Sequence, residues 1–154
     1  MTACWLVKSE PSTYGIDDLA RDGVTPWDGV RNYQARNFMR TGMQRGEPVL
    51  FYHSSTKIPA VTGLARVAGE SYPDPTQFDP TSRYYDPQSR RDAPRWWLVD
   101  LTYVRHLRRP VGLDRLRAQG AKLAGLQLLA RGNRLSVMPV SAEHFAAILE
   151  LENG

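Results

Sequence analysis

Cysteine is nearly absent: Cys4 stands alone among 154 residues, so no internal disulfide can staple the chain, and its place in an apolar run marks it as a buried strand residue. Histidine is scarce too. His53, His106 and His144, with Cys4, supply neither a close-spaced zinc pair nor a Cys-x-x-Cys element, so no metal site is expected. Asp74, Asp79, Asp86 and Asp92 lack the calcium-loop spacing and its terminal bidentate glutamate. No apolar stretch approaches the ~20 residues that span a bilayer, and the N-terminus lacks the basic and apolar regions of a signal peptide. That pattern predicts a protein with no membrane partner, at home in a reducing cytoplasm. A glycine-rich phosphate loop and a G-x-S-x-G elbow are also missing, and no cofactor is expected.

The length suits a single domain, 1–154, large enough to bury a proper core. Twenty Lys+Arg against 16 Asp+Glu leave only +4, too little for bulk charge to prove a polyanion partner. Distribution says more. From Arg31 to Arg45 there are four arginines and no acid, and Arg105, Arg108, Arg109, Arg115 and Arg117 form a second run opposed by Asp114 alone. Arginine forks favour planar, bidentate phosphate contacts over diffuse attraction.

The densest chemistry lies in Trp27-Asp28-Gly29-Val30-Arg31-Asn32-Tyr33-Gln34-Ala35-Arg36-Asn37. No apolar periodicity explains this mixture of aromatics, guanidiniums and carboxamides. An indole stacks on a base at about 1–3 kcal/mol, a carboxamide reads a base edge, and arginine grips phosphate oxygens. The competing structural reading makes Trp27 a core aromatic and the arginines a solvated helix face.

Local patterns predict the elements. Residues 4–8 read as a buried strand ended by Ser9-Glu10-Pro11, since proline lacks the ladder donor. Residues 16–21 read as a short helix closed near Gly23, and Asn32 as the N-cap of a helix over 33–41 with Gly42 after it. Strands are expected over 49–53, 60–68, 96–107 and 134–140, the first two as a hairpin. Residues 113–119 and 122–129 look helical, and Ser141 caps a last helix burying Phe145, Ile148 and Leu149. The segment 72–94 holds five of the eleven prolines and reads as an ordered flap rather than a linker.

Five ordered blocks carry a resemblance: Lys8-Ser9-Glu10-Pro11, the Trp27-Asp28-Gly29 region, Phe51-Tyr52-His53-Ser54, Gly63-Leu64-Ala65-Arg66-Val67 and Arg131-Gly132-Asn133-Arg134-Leu135-Ser136-Val137. In that order they resemble the EVE domain, from about Trp5 to Leu151. The resemblance implies an α+β fold, a PUA-like mixed β-barrel with short decorating helices, related to YTH and ASCH domains. It also implies a pocket for a modified base in DNA or RNA. Carried over from the YTH site, Lys8 and Ser9 lie at the base, Trp27 stacks on it, Ser9 and the backbone near Asp28 hydrogen-bond its edge, and Asn32 or Tyr33 completes the enclosure; Arg31 is expected on the base or its phosphate. Tyr52 and His53 are expected on the opposite wall, Tyr85 on the flap through its Tyr84-Tyr85-Asp86-Pro87 block, and Arg36, Arg40 and Arg134 on phosphate. Trp96 and Trp97 sit too early on their strand to replace the second cage tryptophan of YTH domains, so N6-methyladenine recognition by that route is not expected. The partner is then nucleic acid and the protein a monomeric, non-enzymatic binder. The alternative, drawn from some ASCH proteins, is an amidohydrolase acting on a modified nucleoside with Lys8 and Ser9; a strand bend would have to bring those two side chains to one substrate.

Overall fold

Cys4, Trp5, Leu6 and Val7 are buried in succession, which a strand achieves only when both sheet faces are covered and it has a neighbour on each side. The computed structural model, which describes residues 3–154, makes this strand β1 (Cys4–Ser9). It lies between β3 (Pro48–His53), its parallel neighbour, and β8 (Val137–Val140), its antiparallel one. With β2 (Val24–Pro26), β4 (Ala60–Val67) and β7 (Asp100–Gly112) they form a six-stranded sheet in the order β2-β7-β4-β3-β1-β8. β1 and β3 finish level, Ser9 opposite His53. A two-stranded ribbon of β5 (Tyr72–Pro73) and β6 (Trp97–Leu98) stands apart.

The expected mixed sheet curls into a half-barrel, because its outer strands β2 and β8 do not pair with each other among the described residues. Irregularities supply the curl. The β4·β7 register shifts between Val61 and Gly63 and again between Leu64 and Ala65, and such bulges bend a strand and raise its twist. The first shift falls where Pro110, without a ladder donor, is accommodated inside β7. At its centre Gly63 has a steric reason: a Cβ there would sit on Cγ1 and Cδ1 of Ile16 and press on the Arg105 carbonyl at 3.1 Å. Ile16 opens α1 (Ile16–Asp22), so this glycine lets the helix lie against the sheet. The single long strand expected over 96–107 is divided, with Trp97 and Leu98 in the ribbon and β7 continuing to Gly112.

Asn32 caps α2 (Tyr33–Asn37) as expected, its Oδ1 accepting from the Ala35 amide at 2.9 Å. The chain continues as a wide π turn, Phe38–Gly42, rather than as α-helix. Gly42 falls inside that turn, where a Cβ would come within 2.9 Å of the Trp5 indole. α3 (Leu113–Arg117) forms, but the helix expected over 122–129 does not. Two 3-10 turns, Gly120–Leu123 and Gln127–Leu129, replace it, separated by Gly125 at φ 88°. The last helix, α4 (Ala142–Glu150), carries the Ser141 cap and a fully buried Ile148.

His53 completes the start of α1, its Nε2 accepting from the Ile16 amide at 3.1 Å while Asp18 accepts from Gly15 at 2.7 Å. Burial holds its pKa below the usual 6.5, against the opposing pull of Asp17. The neutral ring is the acceptor, so its contribution is complete above 6.5 and is lost as pH falls through the depressed native value. His53→Ala should therefore cost about 1 kcal/mol at pH 8, and urea titrations should show the difference shrinking as the pH is lowered below 6.5. Gly63→Ala should lose about 1–3 kcal/mol through overpacking. Ile16→Ala in the same chain should recover part of that loss, a non-additivity that a double-mutant cycle measures.

Candidate functional site

At the finishing end of β1 the chain turns sharply, with Thr13 and Tyr14 amides both donating to the Glu10 carbonyl at 2.9 Å. The turn leaves Lys8 and Ser9 on the wall of one cleft of about 510 Å³, within the range of small-ligand sites. Thr25, Pro26, Trp27 and Asp28, leading out of β2, form the second wall, and Arg83 and Tyr84 close the cleft from the 72–94 segment. Ser136, just before β8, and Tyr14 complete the lining.

Trp27 is only 8% exposed and packs edge-on against Phe51, centroids 5.5 Å apart. Its backbone amide donates to Val99 at 2.9 Å, but the indole N–H meets no acceptor among the described residues. It is thus a core aromatic with a free donor at the cleft, which joins the two readings that the sequence left open. Gly29, at φ 79°, lies beneath Tyr84, and a Cβ there would stand 2.5 Å from the phenol Cζ. Glycine is needed twice over, for the backbone and for the ring.

The electrostatics are mixed. Burial lowers the Lys8 pKa, and its ammonium pairs with no carboxylate among the described residues. Asp28 has substantial exposed area, yet the cleft walls desolvate its carboxylate enough to raise its pKa, with the Asp74 charge adding to the effect. A cation, an acid of weakened acidity, two serine hydroxyls and an indole donor therefore converge on one hollow. That set suits the polar edge and flat face of a heteroaromatic ring.

Arg31 lines the cleft, but its fork is engaged. It donates to the Tyr84 carbonyl at 2.7 Å, to Thr76 Oγ1 at 3.1 Å, to Asp74 Oδ2 at 3.2 Å and to the Val30 carbonyl at 3.0 Å. Asp74, 1% exposed, also accepts from the Gly29 amide at 2.8 Å and from the Thr76 amide at 2.8 Å. This knot fastens the 72–94 segment to the loop after β2, and Gln77 fastens its far side by donating to the Asp74 and Trp96 carbonyls. The expected flap is ordered, and Arg31 is its clasp rather than a free phosphate grip.

Other expected site residues lie outside the cleft. Tyr52 is 4% exposed in the core, and His53 caps α1. Asn32 is spent as the cap of α2, and Tyr33 stacks on Trp96 with centroids 4.8 Å apart. Arg36 lies over Tyr33 and donates to the Arg95 carbonyl at 2.7 Å, while Arg40 lies over Trp97. Tyr85 is exposed beside Tyr84, which faces the cleft in its place. Arg134 borders a separate hollow. Tyr14, Arg83, Tyr84 and Ser136 are lining residues that the sequence reading passed over. Gly29 held the one signal for Tyr84, since a glycine after Trp-Asp permits a ring to approach the backbone.

Comparison with known proteins gives this cleft a family. The EVE domain model matches residues 3–151. Thymocyte nuclear protein 1 of Homo sapiens is 41% identical over 170 aligned residues, covering 99% of this chain and 75% of that protein. A solved protein from Pseudomonas putida is 48% identical with a TM-score of 0.93, covering 97% of this chain and 99% of that one. Human THYN1 protein, solved in complex with 5-methylcytosine containing DNA, is 40% identical with a TM-score of 0.92, covering 99% of both chains. On the family match and the near-full-length identity, the chain belongs to the EVE domain family.

Proposed function

We propose that the protein binds a modified base of nucleic acid in the cleft at Trp27, with DNA as the first candidate polymer. The observation that carries the reading is the Trp27 indole, buried on the cleft wall with its N–H unspent, opposite a flap that Asp74 and Arg31 hold in place. A relative similar along the whole chain is known in complex with 5-methylcytosine containing DNA, which supports the ligand class. Everting a base from a duplex costs a few kcal/mol, and one stacking contact returns only about 1–3 kcal/mol. Edge contacts from Lys8, Ser9 and Asp28 supply the remainder and select the base.

The test is an affinity series on DNA and RNA oligonucleotides that differ only in one base modification, with mass spectrometry of the recovered strand. Preference for a modified strand of unchanged mass is expected. A mass loss that Ser9→Ala abolishes would instead make the protein an enzyme, and equal affinity for all strands would reject base recognition. Because Trp27 packs on Phe51, Trp27→Ala should lose about 3–5 kcal/mol of stability and reports mainly on folding. Trp27→Phe is the informative variant: it keeps an apolar ring in the core, removes the free N–H, and should reduce the preference for the modified base while the protein remains folded.

Arg36→Ala should leave the salt dependence of binding unchanged, since its fork already serves the Arg95 carbonyl, Asn37 and the Tyr33 ring. Its expected effect is on melting temperature. A shallower salt slope would return Arg36 to the binding surface.

A further inference from the structure

Beside the base cleft lies a second hollow of about 350 Å³, lined by Asn32, Gln34, Gln127, Arg131, Arg134 and Leu135 among others. Their walls adjoin along the chain. Arg31 and Ser136 face the first, while their chain neighbours Asn32 and Leu135 face the second. At both junctions a single peptide step separates a residue on one wall from a residue on the other.

The chemistry of this hollow differs from that of the cleft. Arg131 and Arg134 are exposed, and neither guanidinium pairs with any group among the described residues. That separates them from Arg31, Arg36 and Arg105, whose forks are occupied. They stand on either side of a turn in which Asn133 donates to the Ala130 carbonyl at 3.1 Å and Gly132 takes φ 74°. Gln127 Oε1 is shielded from solvent and has no donor among the described residues. A buried acceptor without a donor costs about 1–3 kcal/mol, a penalty that rotation of the Gln127 side chain onto a ligand N–H in the hollow would remove. Asn32 spends its Oδ1 on the α2 cap, leaving its amide NH2 to the hollow.

The geometry points to a subsite for the nucleotide adjoining the modified base, with Arg131 and Arg134 on its phosphate and Gln127 accepting from its base edge. This rests on the base-binding reading and deepens it. Specificity would then extend to the neighbouring base, and a base carrying an amino group would satisfy Gln127 where one with only acceptors would not.

The full chain is tested with two probes: the free nucleoside 5-methyl-2′-deoxycytidine, which can fill only the first hollow, and a short single-stranded DNA carrying one 5-methylcytosine. Arg131→Ala/Arg134→Ala should bind the strand on the order of tenfold more weakly, with a salt slope shallower by about 0.7 for the one single-strand phosphate the pair holds. Nucleoside affinity should not change. Gln127→Leu should flatten the ranking of strands that differ only in the bases flanking the modified one. An unchanged strand affinity and slope in the double variant, with the nucleoside still bound, overturns the subsite and leaves the base cleft standing. Parallel loss of nucleoside binding overturns it too, because the arginines would then act on the first hollow. A wild-type protein that binds neither probe removes the base-binding reading and the subsite together.

Discussion

The cleft end of this molecule depends on one buried anion. Asp74 is almost wholly removed from water, a position that costs a carboxylate several kcal/mol unless donors replace the lost hydration. Donors from Gly29, Arg31 and Thr76 do so. Those donors come from two stretches far apart in the chain, so satisfying the carboxylate requires the loop after β2 and the 72–94 segment to meet in one geometry. The cleft between them is therefore formed before any ligand arrives, which reduces the ordering that binding must oppose. The same demand fixes Tyr84 over Gly29, because Arg31 holds the Tyr84 carbonyl with the arm next to the one on Asp74.

Around that anion, groups that resemble ligand-binding chemistry serve as structure. Arg36, Tyr33, Trp96 and Arg31 form a continuous stack of guanidinium and aromatic planes, at 4.8 Å, 4.8 Å and 5.2 Å between successive members. Cation–π contacts of this kind contribute about 0.5–1 kcal/mol each near a surface. The stack braces α2 against the base of the 72–94 segment, so residues adjoining the cleft in sequence are consumed in holding it open.

Legibility in the sequence follows from the range of the forces involved. The first strand, the β3–β4 hairpin and the caps at Asn32 and Ser141 are set by neighbours a few positions away, and all were readable. β2 is three residues long and exists through its pairing with β7, a contact that no local pattern announces. Gly125 divides the expected 122–129 helix by adopting a positive φ, a backbone choice that the helical pattern around it does not reveal. At the site, Lys8, Ser9, Trp27 and Asp28 meet in one cleft as their order implied. Tyr85 and Tyr84 could not be separated, because which of two adjacent residues turns inward is decided by Gly29 more than fifty positions earlier. Tyr52 and His53 belong to a strand end covered on both faces, where alternation carries no information about a ligand.

Arginine content misleads for the same reason. In the run from Arg105 to Arg117, Arg105 makes a two-armed contact with Glu152 at 2.8 Å per arm, and Arg108 donates its amide to the same carboxylate at 2.7 Å. These contacts hold the Glu152 pKa down at about 2 and pin the C-terminal turn to β7. Such a guanidinium contributes to net charge but offers its donors to no phosphate. The arginines relevant to a polyanion are those the fold leaves unspent beside the cleft, and they are few. Under the proposed function, affinity for nucleic acid would be weighted toward the fit of one base in the cleft, with a smaller share from the diffuse attraction that a sequence pI of about 9.5 would suggest.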